Sequence, residues 1–374
     1  MTRRILQVVL RIIPVLILVS LGTAVLVELV PGDPAVAVVG SEGTPEQYEA
    51  VRQSLGLDRP WYERYLDWLG GLFQGDLGQS LIPPIQDVST QIAQRLPVTL
   101  ELAALSVLVA LAIALPVGTW SAYRSGRLFD KTASGVSFAM ISLPSFLLAL
   151  LLIFFAVFHR EWLAGAIIAV AAVAAIGLAA ASVGDRGRRV TARTRRTLRL
   201  SAAGALLIGV LLAVFMPDFP RQGFARIGEA GLAENLRTIA LPVLVLALAE
   251  AAQLIRVLRS DMLTTLNEDY VLASRARGMP VRHILVKEAL RPSTFSLVTV
   301  AGISFGRLLG GTVIVETIFR LPGMGTLIVE AVQKKEFMVL QTAVLIVAAL
   351  YVLVNALVDI SYLYLDPRTR HATA

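Results

Sequence analysis

Apolar side chains dominate eight long stretches of the chain, residues 5–30, 98–122, 133–158, 162–183, 198–216, 239–258, 295–319 and 337–365, and polar residues collect between them. At a rise of about 1.5 Å per residue, a helix of such length crosses the ~30 Å hydrocarbon layer of a bilayer. The pattern predicts an all-α, polytopic membrane protein with about eight transmembrane helices and both termini on one side. Basic residues decide which side. They gather in alternate intervals: at Arg3, Arg4 and Arg11; at Arg124, Arg127 and Lys131; from Arg186 to Arg199; from Arg256 to Arg291; and at Arg368 and Arg370. The positive-inside rule makes these intervals, and both termini, cytoplasmic in a cell (plasma) membrane. The first apolar run is longer than a secretory signal needs, so it is expected to remain as a span.

The interval 31–97 is far more polar than its neighbours and should fold as a small external cap before the span that begins at residue 98. Thr44-Pro45-Glu46-Gln47 supplies an N-cap, a proline at the first helical position and a capping-box glutamine, and Gly56 is placed to stop that helix. Trp61, Tyr62, Tyr65, Trp68 and Leu69 then recur at helical spacing before Gly70-Gly71. That helix, with Glu63 on it, is either an interfacial anchor or a docking surface. The fourth and fifth apolar stretches make an alanine-rich hairpin around an arginine run that fixes topology or binds anionic membrane lipid or a cytosolic partner.

Composition agrees. Only 16% of the 374 residues are charged and 56% are hydrophobic, with a mean hydropathy of +0.71, whereas soluble domains carry about 25% charged residues. The net charge of +7 follows from the cytoplasmic intervals, so no nucleic acid partner is expected. The absence of cysteine excludes disulfides and thiolate metal sites. No Gly-Lys pair occurs, hence no phosphate-binding loop of the Walker type. His159, His283 and His371 stand far apart without carboxylate company. The chain is expected to be neither an enzyme nor a cofactor or metal binder.

The segment 259–292 is the one long polar stretch between two late spans. It reads as two short helices broken at Gly278, with small residues Ala273, Ser274 and Ala276 set beside Arg275 and Arg277. A compact helix of this kind suits a groove on another protein. Here the sequence resembles the permease subunits of binding-protein-dependent ABC importers, whose cytoplasmic motif has small residues, a three-residue gap and a glycine. Ala273, Ser274 and Gly278 occupy those positions, while Leu272 replaces the usual glutamate. The dipeptide/oligopeptide/nickel branch is the nearer resemblance. It is carried in order by Pro31-Gly32-Asp33-Pro34, Leu55-Gly56-Leu57-Asp58-Arg59-Pro60, Gly75-Asp76-Leu77-Gly78, Arg95-Leu96-Pro97-x-Thr99-Leu100-Glu101, Tyr270-x-x-x-Ser274-x-Ala276-x-Gly278, Val315-Glu316-Thr317-x-Phe319-x-x-Pro322-Gly323-x-Gly325, Asn355-x-x-x-Asp359 and Leu365-Asp366-Pro367-Arg368.

The resemblance implies a type I ABC importer permease fold with a six-span core. Segments 1–30, 98–158 and 236–365 supply that core, 31–97 the cap and 366–374 a cytoplasmic tail, and residues 159–235 are an inserted hairpin. It implies a second homologous permease subunit, two cytosolic ATPase subunits that carry ATP and magnesium, an external substrate-binding protein and a peptide substrate. A nickel chelate or glutathione stays open as cargo, and a stand-alone secondary transporter as another class. Tyr270, Ala273, Ser274, Ala276 and Gly278 would couple to the ATPase. Glu63, Pro322, Gly323 and Met324 would face the binding protein.

Arg307 is the one basic residue left deep inside a span, about twelve residues from either end of the stretch 295–319. Its insertion costs about 2.5–3.5 kcal/mol, so it should face protein or water. Glu316 lies about half a helical circle away and cannot pair with it along the helix. Glu250 in the sixth span, or a group on the partner permease, is the better candidate. Arg307 and Glu250 are thus expected on the translocation path or in a buried pair between spans.

Overall fold

The structure, a computed structural model, describes residues 2–29, 33–40, 42–82, 84–183 and 217–365, with six further positions between 203 and 213. The arginine run from Arg186 to Arg199, Pro31-Gly32 and the tail 366–374 lie outside the described residues. Among the described residues there are helices, turns and one isolated bridge between Gln79 and Asp87, but no strand. Among the described residues, five helices are long and apolar enough to cross a membrane, and six if one sharply bent pair is counted as a span.

The chain divides into two compact units, residues 1–146 with 242–374, and residues 147–241. The first unit opens with α1 (Thr2–Leu29), then the cap helices α2 (Pro34–Val39), α3 (Pro45–Ser54) and α4 (Trp61–Phe73). The capping box forms as expected: the Gln47 N–H donates to Thr44 Oγ1 at 3.4 Å and the Thr44 N–H to Gln47 Oε1 at 2.9 Å. Gly56 ends α3 with φ +62°. Helix α4 does not stop at Gly70-Gly71 but runs to Phe73. It lies along α1, where the Tyr65 and Ser20 hydroxyls meet at 3.0 Å and Arg64 pairs with Glu28 at 2.8 Å.

Helix α5 (Val88–Tyr123) begins ten residues before the expected span. At 36 residues it reaches about 54 Å, longer than a bilayer core. The expected third span, 133–158, is not continuous: it is α6 (Leu128–Ser142) and α7 (Ser145–Ile153), the latter extended by a π-helical stretch Phe154–Phe158. Pro144 causes the break, because its ring disfavours helical backbone at the residue before it and it has no N–H. Leu143 is accordingly extended at φ −83°, ψ 123°.

The second unit holds α7 beyond Phe146, α8 (Arg160–Val183) and the first part of α9 (Ile227–Leu266), which is interrupted at Gly231 with φ +80°. Arg160 pairs with Asp218, whose backbone carbonyl also accepts from Arg237 Nε at 2.5 Å. Asn235 Nδ2 donates to the Ala225 carbonyl at 2.9 Å.

In the first unit, α9 continues from Pro242 to Leu266 and leads to α10 (Asp269–Ala276). The chain then passes through Val281–His283 and the π-helical stretch Ile284–Leu290 into α11 (Arg291–Gly311). Three more helices follow, α12 (Val313–Phe319), α13 (Met324–Lys334) and α14 (Phe337–Leu365). Helix α11 packs on α14 through its glycine face: a side chain at Gly302 would meet Val358 at 2.3 Å, and one at Gly306 would touch Tyr351 and Val354 at 3.5 Å. Small residues let backbones approach closely where hydrophobic burial gives no drive between helices. One end of this bundle carries the cap, tied to it by Trp68 Nε1 donating to Thr342 Oγ1 at 3.1 Å and by Ser80 donating to Glu336 at 2.7 Å. The other end of α11 carries α10.

Candidate functional site

Three groups of residues carry chemistry in this unit. The first is α10 and its cap. Val271 and Ser274 are buried, whereas Tyr270, Leu272, Ala273, Arg275, Ala276 and Gly278 are exposed. The small side chains therefore point outward with the arginine, and the apolar and hydroxyl positions hold the helix down. The Tyr270 hydroxyl donates to the Glu288 carbonyl at 3.3 Å, and Arg277 Nη2 donates to Ser274 Oγ at 3.2 Å. Gly278 has φ +74°, its N–H bonds the Arg275 carbonyl at 2.9 Å, and the Met279 N–H bonds the Ser274 carbonyl at 3.2 Å. Nothing stands within 4 Å of where its side chain would be, so glycine is needed there for backbone freedom and not for space.

Asp130, which the sequence reading passed over, stiffens this end of the bundle. It accepts from Arg259 Nε at 2.5 Å and Nη2 at 2.8 Å, from Ser121 Oγ at 2.5 Å and from the Gly126 N–H at 2.8 Å. One buried carboxylate thus joins the end of α5, the α5–α6 turn and the stretch of α9 that leads to α10. A lone acidic residue at the edge of an apolar stretch was the available signal.

The second group is Arg307 with Glu250. Arg307 Nη2 donates to Glu250 Oε1 at 2.8 Å and Oε2 at 2.7 Å, and to Gln253 Oε1 at 3.2 Å. The Glu250 side chain is only 7% exposed while that of Arg307 is 54% exposed. The carboxylate is therefore the buried anchor and the guanidinium the accessible group.

The third group lies at the cap end. The Glu316 carboxyl is fully buried, and it accepts from Thr99 Oγ1 and Thr312 Oγ1 at 2.8 Å each and from the Thr326 N–H at 3.0 Å. Thr99 Oγ1 in turn accepts from the Met324 N–H at 2.8 Å. A side chain at Gly323 would sit 2.5 Å from this carboxyl. These contacts correct the expectation for the turn. Gly323 and Met324 do not face outward: Gly323 closes over Glu316, and Met324 is 0% exposed in an apolar cluster with Val27, Val88, Ile92 and Ala343. Pro322 is half-buried and lines a cavity of about 450 Å³ with Arg95, Arg320, Glu330 and Gln333. Glu63 is half-buried and pairs with Arg59 at 3.4 Å. In the sequence Glu316 stands in a motif of the family resemblance and is rejected as the partner of Arg307, but nothing local marks it as a buried hub, because its threonine donors lie up to 217 residues away.

Comparison with known proteins bears on what this arrangement serves. The family described as binding-protein-dependent transport system inner membrane component matches residues 114–371, and its N-terminal counterpart matches residues 1–103. The dipeptide transport system permease protein DppB of Escherichia coli (strain K12) is 32% identical over 368 residues, covering 96% of each chain. A protein of Brucella abortus (strain 2308), provisionally named a peptide transport system permease, is 33% identical over 371 residues, covering 99% of this chain and 100% of that one. With a type I ABC permease fold, apolar helices and matches across nearly its whole length, the chain belongs to the family of binding-protein-dependent transport system inner membrane components.

Proposed function

We propose that this chain is one half of the translocation pore of an ATP-driven peptide importer, working with a second permease subunit, two cytosolic ATPases and an external substrate-binding protein. Helix α10 carries the reading. It is short, it ends at a left-handed Gly278, and it presents Ala273, Ala276 and Arg275 outward while Ser274 and Val271 hold it against the bundle. A rigid, small-faced helix at the end of two long spans is suited to receive a push from an ATPase and pass it into the pore. The names of its relatives, a dipeptide and a peptide transport permease, support dipeptides or short peptides as the cargo.

The positive-inside pattern supports α10 and both termini in the cytoplasm and the cap outside. Glu63 and the rim of the cavity at Arg320, Pro322 and Gln333 then face the binding protein. Within this reading, residues 159–235 are an insertion into a six-span core.

The test is co-purification from native membranes, followed by ATP-driven uptake of a labelled dipeptide in vesicles, for the wild type and Gly278→Val. A β-branched residue at φ +74° costs about 1–2 kcal/mol or more. The variant complex should assemble and hydrolyse ATP while uptake falls about tenfold or more. Undiminished uptake, or purification without an ATPase partner, would overturn the reading.

A further inference from the structure

The geometry points to Arg307 as a transit site for a carboxylate, the C-terminal carboxylate of a peptide or an acidic side chain within it. This rests on the importer reading above and goes beyond it, because that reading needs no particular side chain in the pore.

Two observations carry the inference. All three bonds to Arg307 converge on one nitrogen, Nη2. The two N–H groups of Nη1 and the one of Nε have no acceptor among the described residues, and they belong to a side chain that is 54% exposed. Arginine keeps its charge at any physiological pH. Helix α11 ends at Gly311, so Arg307 stands one turn before its end and not midway along an unbroken span, and a guanidinium with three open donors on an apolar helix is stable only against water or an oxygen ligand.

Independently, the uncovered face of α9 beside it is polar. Leu254, Ile255 and Leu258 are buried, but Gln253 is half-buried and Arg256 and Ser260 are exposed. Positions 253, 256 and 260 follow helical spacing and so form one stripe. Gln253 touches Arg307, and from there the stripe runs through Arg256 toward the cytoplasmic side, so this face meets water or protein. Gly311, one turn beyond Arg307, has no neighbour within 4 Å of its would-be side chain, and so leaves room.

Glu250 also tunes the site. It holds the guanidinium in place and offsets part of its charge, so a second carboxylate binds by charge-assisted hydrogen bonds yet is not trapped. Transit requires binding that is favourable enough to enter and weak enough to leave.

The experiment uses the complete importer in vesicles, supplied with saturating amounts of binding protein preloaded with either a neutral dipeptide or the same dipeptide as its C-terminal amide. Uptake of the acid over the amide should drop about tenfold in Arg307→Gln and recover in part in Arg307→Lys. In the wild-type complex, modification of Arg307 by phenylglyoxal, read by mass spectrometry, should be slowed by the dipeptide acid and not by the amide. Peptide uptake with an unchanged acid-to-amide ratio would overturn the carboxylate site and leave the importer reading standing. Failure of the wild type to move either peptide would overturn the importer reading itself. Loss of assembly in Arg307→Gln together with an Arg307 that phenylglyoxal cannot reach in the wild type would instead place the residue in a subunit interface and also overturn the proposal.

Discussion

At the scale of single residues, the buried carboxyl of Glu316 shows how tightly this family's late Pro-Gly-x-Gly turn is built. Three donors reach it from α5, from Thr312 and from the first turn of α13, so one side chain ties together elements far apart in sequence. Gly323 is there because its neighbour is that carboxyl, with 2.5 Å between the carboxyl and any added Cβ. Gly323→Ala should therefore displace Glu316 and strand at least one buried donor, at a cost of about 1–3 kcal/mol for the overpacking and a similar amount for the lost hydrogen bond. Thermal unfolding of the purified complex should shift clearly downward. An unchanged melting temperature would show that the carboxyl relaxes freely. The motif was legible in sequence, but the reason for its glycine was not, because a plain loop turn also takes Pro-Gly and the carboxyl it accommodates arrives from the preceding helix. Arg307 and Glu250 were legible: a charge in an apolar span must find a partner, and few carboxyls sit at suitable depth.

Among the elements, the cap was the most readable, since local chemistry sets its helices. Thr44, Gln47 and Gly56 each do what their side chains or backbone dictate. Pro144, by contrast, sat inside an apolar run whose length alone suggested one span, and the break it forces was missed. Helix α2 shows what holds the cap's first turn. Asp33 caps it by accepting from the Ala35 N–H at 2.9 Å and also pairs with Arg52 of α3. Burial pushes the Asp33 carboxyl up, but the bonds from Arg52 and Ala35 and the charges of Arg52 and Lys335 outweigh it and hold the carboxyl below its ordinary value. A lowered folded value means that the contribution is complete above the unfolded carboxyl range, about 3.9, and fades as pH falls through the folded value. Asp33→Asn keeps a capping oxygen and removes the charge, whereas Asp33→Ala removes both and costs about 1 kcal/mol for the cap alone. Hydrogen exchange in α2, corrected for intrinsic rates, should be fastest in the alanine variant at pH 7. The asparagine variant should differ from wild type at pH 7, and the difference should begin to shrink below about pH 4 and close only as pH falls through the lowered folded value. A difference that persists in acid would show that the Arg52 pair is not its source.

For the whole molecule, the apolar stretches located α1, α5, α9, α11 and α14 as helices long enough to cross a membrane, because hydrocarbon thickness imposes a length that sequence must obey, while 133–158 and 295–319 are each broken into two helices. Long-range ties such as Asp130 with Arg259 and Trp68 with Thr342 were not legible, since nothing local marks residues that meet across 129 or 274 positions. The division of the chain into two units bears on the hairpin. In its second unit, α8 presents Trp162, Val170 and Ile176 as uncovered apolar side chains, a surface fit for lipid. The ion pair between Arg160 and Asp218 brings together residues that flank the hairpin on either side. Removing residues 162–216 therefore leaves two ends already close in space, which a short flexible linker can join without moving either neighbour. Such a deletion, with Arg160 and Asp218 retained, should insert in the membrane, co-purify with the second permease and the ATPases, and carry dipeptide at a rate within about twofold of wild type. If residues 162–216 are the pair of crossings proposed above, a reporter at the C-terminus should stay on its original side. Loss of the second permease from the purified complex would make the hairpin part of the subunit interface, and a flipped C-terminal reporter would mean that it is not a pair of crossings.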